Sequence, residues 1–520
     1  MPDNFDHTSA RADHRCDILI AGAGFAGALT ALILNSRGFS VCLVEKGHHP
    51  RFAIGESSTP IADLLLRELS TRYDLPWLYP FSRYGSWQEA HPDVVCGIKR
   101  GFSYFKHYPG KEFTTDAAHS QELLVAASAD DRMSDTNWLR SDFDAFLVDK
   151  VKEAGIVYLD RTDIVSAQRK EDWTFKATRH GDTISINCSF FIDSTGTANL
   201  LNNQLSIDSY STAETNSYAL FSHFDDVPRW TDQLKDAGIP THDFPYDPDH
   251  SALHQVLDEG WIWMLRFNDR RTSVGFALDG RKAPPGDVSP EEQWKQLLAK
   301  YPSIGKLLGG IGLSSVPGKL IRTGRLQRHL HCSSGPGWAA LPHTAGFVDP
   351  LFSTGIAHSL TGIRRLVGIL EEHFGSHAEL KRELGSYSHA ISTELAWIDN
   401  FVAGCYATMP YFELFQAWSM VYFAYTIMSE QRLLAGEPEA YYLGIDRDNE
   451  LRRPHRALLK LFGVGENEFL SDRYVNAPPP APDAIRRFVE LVRESIAPYN
   501  TAGLMDPALR NMYRHTAAIM

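Results

Sequence analysis

The stretch Cys16-Asp17-Ile18-Leu19-Ile20-Ala21-Gly22-Ala23-Gly24-Phe25-Ala26-Gly27 decides how this chain folds. A run of strand type leads straight into Gly22-x-Gly24-x-x-Gly27. Ala28 to Ser36 then has helical composition and is closed by Arg37-Gly38. Phe39 to Val44 reads as a second buried strand and ends on Glu45, 23 residues after Gly22. Strand, glycine turn, helix and strand make a dinucleotide-binding unit. Residues without side chains let backbone amides at a helix N-terminus approach a pyrophosphate, and an acid at the end of the next strand bonds a ribose hydroxyl. Gly22, Gly24, Ala26, Gly27, Glu45 and Lys46 are the candidate contacts. The same glycines in a merely tight turn would not need the rest of the unit. FAD, NAD and NADP stay open here, although Glu45 disfavours the 2'-phosphate of NADP.

Outward from this unit, helical spacing covers Asp63 to Arg72 and Asp142 to Glu153, and strands are expected at Ile156 to Leu159, Ile164 to Ala167 and Ser185 to Ile192. Short strands and proline-rich loops fill Leu205 to Leu313, and beyond Gly355 the pattern is mostly helical, broken at Ala477 to Pro482. The fold class is therefore α/β: a discontinuous Rossmann-type FAD- or NAD-binding domain with an inserted substrate-side β-sheet and a helical C-terminal region. The divisions read as a disordered lead-in over 1–14, a nucleotide domain over 15–375 with sheet insertions at about 80–110 and 205–313, and helices over 376–520. Ala417 to Met428 is the most apolar stretch, but it is too short and too interrupted for a membrane span and reads as a buried helix.

Composition narrows the partners. With 520 residues, 43% hydrophobic and 22% charged, the chain has ordinary globular proportions, and a formal charge of -13 repels nucleic acid and anionic membranes. Six scattered cysteines suggest neither a disulfide framework nor a zinc site, so a reducing cytoplasm is the expectation and no metal is expected.

Several further segments carry a family resemblance. Ala345-Gly346-Phe347-Val348-Asp349-Pro350-Leu351-Phe352-Ser353-Thr354-Gly355 resembles the flavin-contacting segment of the flavin-dependent halogenases. His49 to Pro60, with Gly55-Glu56-Ser57, is similar to their strap over the cofactor. Cys96-Gly97-Ile98-Lys99-Arg100-Gly101 is similar to the stretch holding their active-site lysine. Trp138-Leu139-Arg140 and Asp193-Ser194-Thr195-Gly196 resemble two further cofactor motifs. The resemblance spans about residues 15 to 370 and is nearest to halogenases of phenols and free aromatics, since Phe352 stands where tryptophan halogenases carry a glutamate. It implies FAD, used as FADH2 from a separate flavin reductase. It also implies halide held by Ser353, Thr354 and Gly355, a small aromatic substrate, and Lys99 as the catalytic residue. Gly55, Glu56, Ser57, Arg140, Asp349, Gly355 and Ile356 would touch the flavin. A homodimer is possible within the family.

Read without the resemblance, Lys99 is an ordinary strand lysine in a basic run with Arg100 and Lys106. If Cys96 to Phe105 is one strand, Lys99 shares a face with Gly97 and Gly101, and something is meant to approach closely there. A partly desolvated amine in that slot can hydrogen-bond hypohalous acid or form a haloamine. Ser353 or Thr354 falls near a helix N-cap, whose free amides suit an anion. Two departures from the family stand out. Trp261-Ile262-Trp263-Met264-Leu265-Arg266 has arginine where the family has proline, which opens an alternative: an acidic substrate, or a flavin monooxygenase or oxidoreductase that uses no halide. Leu341-Pro342-His343-Thr344 lacks a carboxylate that relatives offer the ribityl chain, a loss of about 1 to 2 kcal/mol in flavin binding. The large aromatic groups between Thr393 and Gln431 are core or pocket wall.

Overall fold

In chain order, the computed structural model runs from β1 (Asp13–Ala21) through α1 (Phe25–Ser36), β2 (Val41–Val44) and α2 (Pro60–Arg72) to β3 (Cys96–Lys99) and β4 (Gly101–Lys106). There follow β5 (Glu122–Ala126), β6 (Asp135–Trp138), α3 (Arg140–Glu153), β7 (Val157–Leu159) and β8 (Asp182–Asp193). Next come β9 (Ser217–Asp225), β10 (Ala252–Val256), β11 (Gly260–Arg266), β12 (Arg271–Asp279) and β13 (Trp338–Ala340). Helices α4 (Thr354–His373), α5 (His377–Thr408) and α6 (Phe412–Leu434) precede a last short strand, β14 (Met512–Tyr513). The structure describes residues 13–516 apart from 199, 202–208, 211–212, 438–440, 446–449, 466–467 and 469. The expected lead-in over 1–14 lies outside these residues, except that Asp13 and His14 already belong to β1.

The nucleotide unit forms as its pattern predicts. Ile18, Leu19 and Ile20 are fully buried, because β1 is a central strand covered on both faces and its sequence is continuously apolar rather than alternating. The sheet runs β13-β8-β1-β2-β7 in parallel, assembled from segments as distant in sequence as β1 and β13, with a hairpin (Thr162–Arg169 and Trp173–Arg179) set antiparallel on β8. Gly22 has φ +96°, and a Cβ there would lie 2.4 Å from the Ser194 carbonyl oxygen. Both constraints demand glycine.

A second sheet of nine strands carries the order β9-β12-β11-β10-β4-β5-β14, with Gly312–Leu313 and Ile321–Arg325 both against β9. Its two faces sort by the period of two. Trp261, Trp263 and Leu265 of β11, with Phe102 and Tyr104 of β4, turn toward the main core shared with the Rossmann sheet and the long helices. Ile262 and Met264, with Phe105, face a separate core built on Trp230, Phe276 and Trp294. The inserted sheet expected at about 80–110 and 205–313 is thus larger than its sequence pattern suggested: β5 and β14 join it. The region after 376 is correspondingly not all helical. Met512 and Tyr513 are buried, pair in parallel with Leu124 and Val125, and cover what would otherwise be an open strand edge.

Cys96 to Phe105 is also not one strand. The chain changes partners at Arg100: β3 pairs with β6 in a separate two-stranded ladder, and β4 pairs with β5 and β10 in the large sheet. The glycines flanking Lys99 are accounted for by neighbouring backbone rather than by a ligand. A Cβ on Gly97 would lie 1.8 Å from the Arg266 carbonyl oxygen, and one on Gly101 2.0 Å from that of Val125. Gly97→Ala should therefore force β3 off β11 and cost about 1 to 3 kcal/mol or more. A urea or thermal unfolding midpoint equal to that of wild type would contradict this account of the contact.

Candidate active site

At the nucleotide turn, helix α1 begins after Gly24 with no side chain capping it, so the first amides of the helix point into the turn. Glu45 is buried at the end of β2. One carboxylate oxygen accepts from the Ala23 amide at 2.9 Å, the other from the Gly47 amide at 2.9 Å, and the Arg51 guanidinium lies 3.5 Å away. Burial alone would push this carboxyl up, but Arg51 and the two amides more than offset it and hold the group below the usual carboxylate range. A cavity of about 430 Å³ opens nearby, lined by His49, Val148, Lys152, Ile156, Tyr158 and Asp160 among others. Lys46 does not join this group. Its side chain is exposed and pairs with Asp163 at 3.0 Å.

The strap after β2 is held from two sides. Arg140, the first residue of α3, grips Asp144 with both arms at 2.8 Å and donates to the carbonyls of Ile54 and Gly55 at 2.9 and 3.1 Å. Bidentate pairing four residues along a helix fixes the guanidinium plane, and the fixed plane then fixes the strap. Farther along, Glu56 bonds the buried His223 of β9 at 2.7 Å, so its carboxylate anchors the strap to the large sheet. Ser57 bridges to Asn137 of β6. Several buried polar atoms here have no protein partner: Ser57 Oγ, Asn137 Oδ1, Arg51 Nε, His49 Nε2 and, from the short helix Pro342–Ala345 after β13, His343 Nδ1. Buried polar groups are seldom left unpaired, so these atoms are candidates for contact with a polar ligand.

The segment 345–356 closes the site from the other side. Helix α4 starts at Thr354, with Ser353 as its N-cap in the left-handed region (φ 56°) and no side chain bonding its first amides. Phe352 is left-handed as well (φ 63°), a conformation that costs a non-glycine residue of order 1 kcal/mol or more and persists only where surroundings enforce it. They do: the Phe352 ring is buried against Tyr422 at 4.4 Å and Phe401 at 5.3 Å, and its carbonyl accepts from the Tyr422 hydroxyl at 3.0 Å. Asp349 is fully engaged within the protein. It accepts from Ser217 at 2.5 Å, Tyr406 at 2.9 Å and the Leu351 amide at 3.1 Å, and burial raises its carboxyl to about 6. Its side chain thus ties loop, sheet and helix α5 together. Gly355 is open on its Cβ side, and Ile356 is buried behind it.

Lys99 has no solvent exposure. Its amine donates to the Ser58 carbonyl in the strap, lies 4.1 Å from the centre of the Phe102 ring, and is 3.9 Å from an Asp135 carboxylate oxygen. Register explains the last contact, because Lys99 of β3 and Asp135 of β6 are direct cross-strand partners. Burial lowers the amine to about 8, with Asp135 and Asp63 working in the other direction. Arg100 and Lys106 are likewise buried and paired, with Asp131 at 2.7 Å and Asp258 at 2.6 Å, so the three cations are not a solvated basic face.

Of the two departures, Arg266 stays out of the site. It is bound by Asp249 at 2.8 Å and by the carbonyls of Val227 and Pro228, which explains how β11 accommodates a charge there. Trp261 and Trp263 keep their shared face, 5.9 Å apart. His343 sits inside the site with its Nε2 3.2 Å from the Ser194 carbonyl, and burial depresses its ring to about 4, so it is neutral. Asp63, Asp135, Asn137, His223 and His343 gather here although no motif marks the first four. His343 was legible only as the absence of an acid.

Comparison with known proteins agrees with this arrangement. The family model "Tryptophan halogenase" matches residues 139–413, just over half of the chain, and the model of an NAD(P)-binding Rossmann-like domain matches residues 20–89. Monodechloroaminopyrrolnitrin halogenase PrnC of Pseudomonas fluorescens is 28% identical over 80% of this chain and 72% of its own length. Tetracycline 7-halogenase of Kitasatospora aureofaciens is 24% identical over 84% and 77%. Among solved structures, halogenase PltM in complex with phloroglucinol and FAD superposes with a TM-score of 0.82 at 22% identity, covering 97% of this chain and all of that one, a likeness of fold. Among the described residues, no helix is long and apolar enough to cross a membrane. With the matched family model extending over the cofactor motifs at Arg140, Asp193 and Asp349, the chain belongs to the tryptophan halogenase family and is a flavin-dependent halogenase.

Proposed function

We propose that this halogenase installs chloride, bromide or iodide on an electron-rich, phenol-like ring through hypohalous acid held by Lys99. The observation that carries the reading is an amine with no solvent exposure, set between the flavin strap and the wall of an apolar cavity. That cavity is lined mostly by apolar groups, Pro60, Ile61, Phe102, Val125 and Phe423 among them, with Thr59 and the acid Glu430 also on its wall. Ser58, whose carbonyl receives the amine, directly precedes Thr59, and the Phe102 ring is shared by amine and cavity. In this state the cavity admits little more than a water, at about 20 Å³, so seating a ring requires its walls to move apart. The names of the relatives add support, since phloroglucinol, monodechloroaminopyrrolnitrin and tetracycline are all aromatic.

FAD fits the unpartnered polar atoms and uncapped helix ends described above. Gly22, Gly24, Ala26 and Gly27 would hold its pyrophosphate and Glu45 its ribose, with Gly55, Glu56, Ser57 and Arg140 forming the strap. The backbone of Gly355 and Ile356 would face the ring, held in place by Asp349. Ser353, Thr354 and Gly355, at the start of α4, would bind halide through free amides. Reduced flavin with O2 supplies the oxidising power that converts halide to hypohalous acid. With a single dinucleotide turn in the sequence, a separate reductase is the electron source we propose.

Lys99 then acts as a proton donor. As the ring attacks halogen, the hydroxyl of hypohalous acid leaves as water with a proton from the ammonium, and the proton released by the ring carbon returns to the amine and restores the ammonium. Water exclusion matters as much, because free hypohalous acid reacts with whatever it meets. The non-halogenating alternative rested on Arg266, and that arginine is occupied by Asp249 and two carbonyls.

Lys99→Met, supplied with reduced FAD, bromide and a phenol, should lose about 100-fold or more of halogenated product while still oxidising reduced flavin. Product yield equal to that of wild type removes Lys99 from the mechanism. The pH profile separates its two chemical forms. An amine at about 8 is charged below that value, so kcat/KM for halogenation should fall as pH rises through about 8. A rise through the same range would mean that the neutral amine, and hence a haloamine, carries the halogen.

A further inference from the structure

Behind Lys99 stand two carboxyl groups for which the mechanism above has no use. Asp135 comes from β6, opposite Lys99 in register, and Asp63 from the first turn of α2. Their exposures are 2% and 1%, and the lysine side chain between them and the strap has none. One oxygen of each, Oδ2 in both cases, has no hydrogen-bond donor among the surrounding groups, and Ser58 brings the two carboxyls together, since its hydroxyl reaches Asp63 while its backbone amide bonds the carbonyl of Thr136, the neighbour of Asp135. Two ionised carboxylates in contact, in a dry site, would repel strongly. A proton between them satisfies both orphaned oxygens at once. It also leaves one negative charge facing the amine, with the Arg67 guanidinium as a second cation in the pair's field.

We propose that Asp63 and Asp135 are a positioning pair for Lys99, sharing one proton so that a single net carboxylate charge orients the amine and keeps it protonated. Asp63 donates and Asp135 carries the charge. The Ser58 hydroxyl donates toward the other Asp63 oxygen at 3.5 Å and accepts from the Thr136 amide at 3.0 Å, so the same residue that receives the lysine also tethers the pair. The titration directions agree: burial raises both carboxyls, Asp63 well above the usual range and Asp135 to about 6, and the hydrogen bond between them raises the first while lowering the second. Arg67 of α2 attracts both carboxyls but is bonded to Ser82. His254 of β10 is pushed down to about 3 by burial and is neutral, and Tyr422 of α6 is an un-ionised phenol.

The inference rests on the halogen-transfer reading of Lys99 for its functional consequence, so its test separates the two. The titration of Lys99 is followed by NMR of labelled lysine ε-carbons, assigned with Lys99→Arg, alongside the pH profile of halogenation. Flavin binding serves as the check on folding. Asp135→Asn removes the charge facing the amine, and both the Lys99 titration and the alkaline limb of kcat/KM should move to lower pH by roughly 1 to 3 units. Asp135→Glu should restore much of this. Asp63→Asn keeps the charge on Asp135, so the limb should stay near wild type. The infrared difference spectrum between wild type and Asp63→Asn at neutral pH should then contain the carbonyl band of a protonated carboxylic acid. That spectrum decides the question even if Asp135→Asn does not fold. An unmoved Lys99 titration in folded Asp135→Asn, or a difference spectrum without the acid band, overturns the pair. A Lys99 titration that moves while the halogenation profile does not supports the pair and instead defeats halogen transfer through Lys99.

Discussion

An ammonium group with no access to water has lost its hydration, and something in the protein must take its place. At Lys99 that replacement comes from three directions: the Ser58 carbonyl of the strap, the face of the Phe102 ring, and the carboxylate of Asp135. Each belongs to a different piece of the fold. The strap follows the second Rossmann strand, Phe102 lies in the large sheet, and Asp135 belongs to the short ladder that joins β3 to the segment leading into α3. The amine can be kept dry only where all three meet, so its burial and the mutual position of the two sheets are one constraint seen from two sides.

Other contacts serve the same junction. Glu56 crosses from strap to large sheet through His223, Arg140 clamps the strap to α3, and Asp349 joins the α4 loop to β9 and α5 through Ser217 and Tyr406. All three place an ionisable group in buried surroundings, and all three are matched by partners with good geometry. A buried ionic group is weak evidence of stability in itself. Here the groups define where a loop must sit, and the loops are the ones that bear the site. The same logic accounts for the left-handed Phe352 and Ser353, whose strain is held by aromatic packing at the start of α4.

Much of this was legible in the sequence because it depends on local chemistry. The turn at Gly22 to Gly27, Glu45, the strap, Arg140 and the start of α4 are each written as a motif of a few residues, and each forms where its motif lies. Lys99 could be named, but not its environment, and the flanking glycines pointed the wrong way: Gly97 and Gly101 admit backbone from β11 and β5, not a ligand. Arg266 misled for a related reason. A charge in an apolar strand motif suggests a new role, whereas its partner Asp249 lies 17 residues away in a loop of irregular sequence. The short β14 was invisible, since two residues carry no periodicity and its burial depends on an edge formed almost 400 residues earlier.

By itself, then, the sequence determined the class of fold and the nucleotide turn, because these follow from backbone conformation and hydrophobic period within short windows, and only the family resemblance singled out Lys99. Only the tertiary structure decided that the amine is dry and paired with Asp135 beside Asp63, that Glu56 meets His223, and that the C-terminal segment closes the large sheet. Those are contacts between distant segments, chosen by register and by the shared need to satisfy buried charge, and no local pattern encodes them.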